Sequence, residues 1–413
     1  MLKIGALLGN KRLAIRTLAI SACLALLLVW SISPLGYTPY KLNYPTDGSH
    51  SAPHLPCWSL PGANETLVIL RTGATELEDR LTIHLSTTLR CYPNYMIFSD
   101  YEEIYNNETI FDALESVSPD ILANHEDFAL HRRLKQDGRA ALDRSELSGS
   151  DSVLSNPNGN ANNPGWKLDK WKFLPMVNRT LFEHPDMKWY VFIEADTFIL
   201  WSMLQQYLAA IDHTKPYYAG SRTFIGSDLF AHGGSGFVVS QPAMRLTVDR
   251  YAEHKAEIEA FTNGHWAGDC VLGTVLRDAG VVFTDAWPTI QGYSPGLLPY
   301  AREWPRASWE PTTRWWCYPA LSYHHLSPDM TKDVWDWEQQ WIENNGAVSS
   351  ASTSSCLRLC SDTDASHTER QLDRPTPPRR FQGVRDAAHD DGANGLEQRK
   401  RKRRERHHFG RGL

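Results

Sequence analysis

Neither of the common glycine fingerprints for nucleotide-binding turns is present: the 413 residues contain no G-x-G-x-x-G and no G-x-x-x-x-G-K-[ST]. The first absence removes the dinucleotide-binding form of a Rossmann turn, and the second removes a P-loop. No C-x-x-C pair occurs, so zinc sites of that spacing are excluded. A basic main body is lacking too. Residues 357–413 carry 14 Lys/Arg against 9 Asp/Glu, and with a net charge of −6 for the whole chain, residues 1–356 sit at −11. An acidic body of that kind argues against a nucleic-acid-binding protein.

What is present begins with Lys3, Lys11, Arg12 and Arg16, followed by an uncharged apolar run over Thr17–Ile32. Extended to residue 35, the run reaches the length of a spanning helix. Basic residues ahead of it predict a cytoplasmic N-terminus over 1–16, a signal anchor over 17–35 and a lumenal or extracellular main body. A cleaved signal peptide is the rival reading, although the run is long for a signal core. Asn64-Glu-Thr, Asn107-Glu-Thr and Asn178-Arg-Thr are N-glycosylation acceptors if exposed. Of seven cysteines, Cys57, Cys91, Cys270 and Cys317 fall in the body and are available for two disulfides of unassigned pairing.

Residues 36–62, rich in Pro, Ser and Tyr, read as a stem, and 63–345 as the folded domain. Leu67–Arg71 predicts a first strand, closed by Thr72 and Gly73. A helix follows from about Thr75, an N-cap candidate, with Leu77, Leu81, Leu85 and Leu89 repeating every four residues. Tyr95–Ser99 predicts the next strand, so the domain opens as a βαβ unit of a parallel sheet. His131–Pro164 is polar and reads as a mobile loop. Trp166–Glu183 is helical, with Pro175 expected to kink or interrupt it. Ser202 is expected to cap a helix carrying Leu204 and Leu208. Further expectations are a strand at Phe237–Ser240, helices over Gln241–Ala260 and Asp269–Ala279, and a strand at Val281–Thr284. Residues 346–413 lose all periodicity and read as a disordered tail. Its basic cluster, Arg399–Arg406, resembles a nuclear-localisation patch that a lumenal protein could not use.

The chemistry centres on Trp189–Leu200, WYVFIEADTFIL. A short continuous apolar run reads as a strand buried on both faces. In open α/β sheets ligands sit beyond the carboxyl ends of the strands, where Glu194 and Asp196 stand. Carboxylates there suit a divalent ion that also bridges substrate phosphates. Gly233-Gly234-Ser235-Gly236 lets backbone approach a ligand, or makes an ordinary turn. Trp304, Trp309, Trp315 and Trp316 crowd one segment and can stack on sugar faces or fill core. His324-His325 is a candidate ligand pair that needs a partner.

Five stretches stand in order: Trp166-Lys167-x-x-Lys170, Trp189 to Glu194-Ala195-Asp196-Thr197, Gly233-Gly234-Ser235-Gly236-Phe237, Gly268-Asp269-Cys270-Val271-Leu272-Gly273, and Ser322-Tyr323-His324. Together they resemble glycosyltransferase family 31, nearest its core 1 β1,3-galactosyltransferases and their Fringe cousins, over roughly Leu67 to His325. The resemblance implies an α/β fold of GT-A type, a single Rossmann-like catalytic domain in the Golgi lumen. It implies a UDP-sugar donor, a glycan or glycoprotein acceptor such as O-linked GalNAc, and usually Mn²⁺. Glu194-Ala195-Asp196 falls on the family's DxD-type motif, with Asp196 as metal ligand, while Ala195 and Glu194 depart from it. His324 matches the family's late metal-binding histidine and Asp269 its catalytic base. Thr72, Gly73, Lys170, Glu194 and Ala195 are donor-side candidates. Gly233, Gly234 and Trp315 lie on the acceptor or loop side. The membrane is expected as a partner through the N-terminal helix, nucleic acid is not, and a homodimer is left open. The alternative is a non-catalytic, carbohydrate-binding or chaperone-like relative, suggested by the altered Glu194-Ala195.

Overall fold

Strand β1 (Thr66–Arg71) is buried along its whole length, and its alternating side chains feed two different cores. In this computed structural model, which describes residues 56–148, 163–295 and 319–345, Val68 and Leu70 pack on one face of the sheet. Leu67 and Ile69 pack on the other, as the two-residue period of a strand requires. The first face is covered by α1 (Leu77–Ser86) and by α5 (Trp201–Ala209), which supplies Trp201, Leu204 and Leu208. The second is covered by α4 (Pro164–Glu183), α6 (Gln241–Glu253), α7 (Lys255–Gly264) and α8 (Gly268–Asp278). The helices α2 (Pro119–Asn124) and α3 (Ala129–Asp137) precede α4, and α9 (Pro328–Asn345) closes the described chain.

The other strands are β2 (Tyr95–Ser99), β3 (Glu103–Tyr105), β4 (Glu108–Asp112), β5 (Trp189–Glu194), β6 (Phe198–Ile199), β7 (Tyr218–Gly220), β8 (Arg222–Ile225), β9 (Asp228–Ala231), β10 (Phe237–Ser240), β11 (Phe283–Asp285) and β12 (Ser322–Tyr323). Among the described residues the main sheet has eight strands in the order β11-β7-β10-β5-β1-β2-β4-β3. Pairings β4–β2–β1–β5 are parallel, so the chain carries the expected mixed α/β, Rossmann-like sheet. β10 runs antiparallel between β5 and β7, with Phe237 opposite Phe192. That reversal positions the site. The turn entering β10, residues 233–236, comes to lie beside the carboxyl end of β5. A second reversal does the same for the late histidines. β12 pairs antiparallel with β6, Tyr323 opposite Phe198, which delivers His324 next to the turn following β5.

Several expectations are corrected. The loop expected over His131–Pro164 opens inside a helix, Ala129–Asp137, because Leu130 and Leu134 lie one turn apart and join Phe128 and Trp171 in a core cluster. Residues 149–162 of that expected loop lie outside the described residues. Helix α4 runs through Pro175 without interruption. It begins at Pro164 behind Asn163, whose side-chain oxygen accepts from the Gly165 amide at 2.9 Å. Thr75 does not cap α1, which starts at Leu77; its hydroxyl instead bonds Ser148 at 3.0 Å. Ser202 is already inside α5, whose first amides, Trp201 and Ser202, meet the Glu338 carboxyl. The helix expected over 241–260 is divided at His254. Cys57 and Cys91 form a disulfide, whereas Cys270 is a buried free thiol, so two body disulfides built on these four cysteines are not formed as expected. That bridge, with Leu60 buried, ties the last residues of the expected stem into the domain.

Among the described residues no helix is long and apolar enough to cross a membrane. The anchor at 17–35, the tail at 346–413, Cys317 and Trp315 lie outside the described residues. Asn64 and Asn107 are exposed, and Asn178 is half-buried on α4.

Candidate functional site

Glu194 ends β5, and the strand alternation persists for two residues beyond it. Glu194 and Asp196 are half-buried while Ala195 between them is 3% exposed and packs in the core. A small apolar residue therefore suits the middle position, where an acid would be driven into that core. The Ala195 amide donates to the Arg71 carbonyl at 3.0 Å, continuing the pairing with β1. The turn closes through the Thr197 amide on the Glu194 carbonyl, 3.0 Å, and the Thr197 hydroxyl donates to the Gly234 carbonyl at 2.7 Å.

That last bond ties the acidic turn to the glycine loop, where Gly233 and Gly234 back onto candidate site residues. The Gly233 amide donates to Asp269 Oδ2 at 2.8 Å, and a Cβ on Gly233 would meet Glu194 Oε1 at 3.2 Å. A Cβ on Gly234 would overlap the His324 ring, 2.1 Å from Cε1. Only glycine lets the ring lie against this backbone. Asp269 thus lies against one loop residue and His324 against the next.

His324 is 4% exposed, its Nε2 lying 3.2 Å from Asp196 Oδ1 and 3.8 Å from Glu194 Oε2. His325 turns back with φ of 59°, a left-handed conformation uncommon for a non-glycine residue. Its ring lies tilted against His324, 3.8 Å between ring centres, and places Nδ1 3.8 Å from Asp196 Oδ2. Ligand atoms of Asp196, His324 and His325 all lie within 4.8 Å of one another. One carboxylate and two imidazoles are a donor set that suits a first-row divalent cation, whereas Ca²⁺ and Mg²⁺ prefer all-oxygen sites.

The electrostatics favour positive charge at this point. Burial works against the charged form of His324, yet Asp196 and Glu194 push its pKa up to about 10. Burial likewise opposes ionisation of Asp196, but His324, His325 and Arg80 hold it well below the usual carboxylate range. Against its own burial, Glu194 is held down chiefly by Arg71, with which it forms an ion pair. Asp269, bonded to Gly233, behaves oppositely. Burial raises it, the Gly233 amide pulls it back, Glu194 raises it again, and it rests at about 6. Carboxylates pushed apart in this way are suited to different roles. His232, whose ring edge meets His324 at 5.4 Å, is lowered to about 4 by burial and then by the His324 charge.

Beyond the end of β1 the arrangement differs from the sequence reading. Thr72 and Gly73 are there, but Lys170 is not: its ammonium sits 2.9 Å from Asp127 and 3.2 Å from the Asn263 carbonyl. Lys172, two residues later and so on another face of α4, reaches the Thr72 carbonyl at 3.0 Å, Asp100 at 2.6 Å and Asp169 at 2.7 Å. Asp169 also holds Arg71 at 2.7 Å, and although burial opposes it, Arg71 and Lys172 lower its pKa to about 2. Residues missed in the sequence include Arg71, Asp169 and Lys172, whereas His325 stood there only as one of a pair lacking a partner, which Asp196 supplies. Arg80 and His84, on α1, also escaped notice. Arg80 Nη1 lies 3.4 Å from Asp196 Oδ2, and buried His84 bonds the Ala195 carbonyl at 2.9 Å. Their i, i+4 spacing was a readable signal, hidden by the leucine repeat of the same helix. No protein-family model and no curated protein sequence matches this chain.

Proposed function

We propose that this chain is an inverting, metal-dependent glycosyltransferase of GT-A type, moving a sugar from a UDP-sugar to a glycan hydroxyl. By the family-31 resemblance, that sugar is galactose in β1,3 linkage. One observation carries the reading: beyond the carboxyl end of β5, Asp269 bonds Gly233 and the His324 ring lies against the adjacent Gly234, with Asp196 and His325 beside that ring. Asp269 accepts the proton of the acceptor hydroxyl as its oxygen bonds the anomeric carbon, and the bond to the departing UDP oxygen breaks with inversion. A carboxylate in that role contributes about 10²–10⁴-fold. Asp196, His324 and His325 would hold a divalent cation, which when bound would supply Lewis-acid stabilisation of the leaving diphosphate. Glu194 is retained by Arg71, whereas Asp196 faces both imidazoles. Thr72 and Gly73, at the end of β1, border the donor side.

Purified full-length protein is expected to release UDP from UDP-galactose with a GalNAc-bearing acceptor only when Mn²⁺ is present. Asp269→Ala should lose about 10²–10⁴-fold in turnover while keeping its Mn²⁺ affinity. Turnover equal to wild type would remove Asp269 as the base. Absence of UDP release across a panel of UDP-sugars, with Mn²⁺ bound, would remove the transferase reading.

A further inference from the structure

Helix α1 carries a second stripe besides its leucines. Glu76, Arg80, His84 and Thr88 follow one another at four-residue spacing, with Thr88 in the turn just after the helix. The spacing puts them on one face. That face does not look to solvent: His84 is fully buried and Thr88 is 2% exposed. Glu76 meets Arg80 Nε at 3.4 Å, and Arg80 reaches both Asp196 Oδ2 and the Leu326 carbonyl at 3.4 Å.

His84 bonds no side chain of the acidic turn, only its backbone. Its Nε2 lies 2.9 Å from the Ala195 carbonyl oxygen, and its Nδ1 lies 2.7 Å from the Thr88 hydroxyl. A carbonyl can only accept, so Nε2 carries the proton, and in the neutral ring Nδ1 accepts from Thr88. The Ala195 carbonyl belongs to the peptide leading into Asp196. The Asp196 carbonyl, at the other end of that residue, accepts from the Leu326 amide at 3.0 Å. Asp196 is therefore clamped by backbone bonds on both sides. One comes from α1, and the other comes from the segment that delivers His324 and His325.

We propose that His84 is a positioning residue for divalent-cation binding: its bond to the Ala195 carbonyl holds the peptide that aims the Asp196 carboxylate at His324 and His325. The inference rests on the cation reading given above. Groups that orient metal ligands without touching the ion change affinity by about 10–100-fold when removed. Losing the Nε2 donor also leaves a buried carbonyl unsatisfied, which gives the peptide a reason to rotate.

The test is Mn²⁺ affinity of the full-length chain, read from the spectrum of free Mn²⁺ by electron paramagnetic resonance, with circular dichroism to certify folding. His84→Leu is expected to weaken binding about 10–100-fold. His84→Gln, which keeps an N–H donor, should recover most of that loss. Thr88→Val removes the group that orients the ring at almost no change of volume, and is expected to weaken binding measurably but by less than His84→Leu. Folded His84→Leu with wild-type affinity overturns the proposal, as does His84→Gln that binds as weakly as His84→Leu. If His84→Leu does not fold, wild-type affinity in Thr88→Val overturns it. If the wild-type chain itself binds no Mn²⁺, the cation reading fails first, and Asp196→Ala in parallel separates the two cases.

Discussion

Replacing Gly234 with alanine perturbs the candidate cation site by a single methyl group, and the consequence follows from distances alone. The added Cβ would stand 2.1 Å from His324 Cε1 and 2.2 Å from Nε2. Carbon contacts are comfortable at about 3.5–4.0 Å, so something must move by more than about 1 Å. The loop is held, with the Gly234 carbonyl on the Thr197 hydroxyl at 2.7 Å and the Gly233 amide on Asp269 at 2.8 Å. The imidazole is the part that yields. Ligand distances tolerate only about 0.2 Å, so the displaced ring no longer serves the ion. Mn²⁺ affinity should fall by about 100-fold or more, at or beyond the upper end of what losing an orienting contact costs. Overpacking should also lower stability by about 1–3 kcal/mol. Paramagnetic resonance titration gives the first quantity and urea unfolding the second. Gly264→Ala, with nothing within 4 Å of its Cβ, is the matched control and should leave both unchanged or slightly improve stability. A folded Gly234→Ala chain that binds Mn²⁺ like wild type would show that His324 is not a ligand.

Asp269 at about 6 predicts that turnover at saturating Mn²⁺ falls about tenfold per pH unit on the acid side of that value, because only the ionised carboxyl takes the proton; a flat rate from pH 5 to 7 would contradict it. Burial lifts Glu338 from an ordinary value of 4.5 to about 8. The folded state thus holds the proton more tightly than the unfolded one, and its stabilising effect is full below pH 4.5 and lost as pH rises through 8. Urea midpoints measured across that window should decline, and Glu338→Gln should flatten the decline. Lys172→Met strips the cation from Asp100, which is fully buried, and from Asp169. Removing one partner of a buried ion pair costs about 3–5 kcal/mol, so chemical denaturation should show a loss of that order.

Strand β5 illustrates what can be read locally. Its apolar run and the two acids behind it state both the burial and the acid-x-acid face, and the structure places that face at the carboxyl edge of the sheet. The glycine turn before β10, the helix opening at Gly268 and the βαβ start were legible for the same reason: each is a pattern of neighbouring residues. Lys170 shows the limit. The motif pointed to a lysine on α4, but which lysine reaches Thr72 depends on how that helix is rotated against β1. Helix α3 was obscured because two buried leucines among seven other residues carry little periodic signal.

The sequence by itself determined the α/β alternation, the acidic turn, the glycine loop and the separate candidates Asp196, Asp269 and His324. Only the tertiary structure decided that these meet. The meeting depends on two antiparallel reversals, β10 against β5 and β12 against β6, and strand direction is set by which pairing buries both sheet faces, a property of the assembled layers. His84 and Arg80 belong to the same class: a polar stripe on α1 has no meaning until the turn it supports is laid across it.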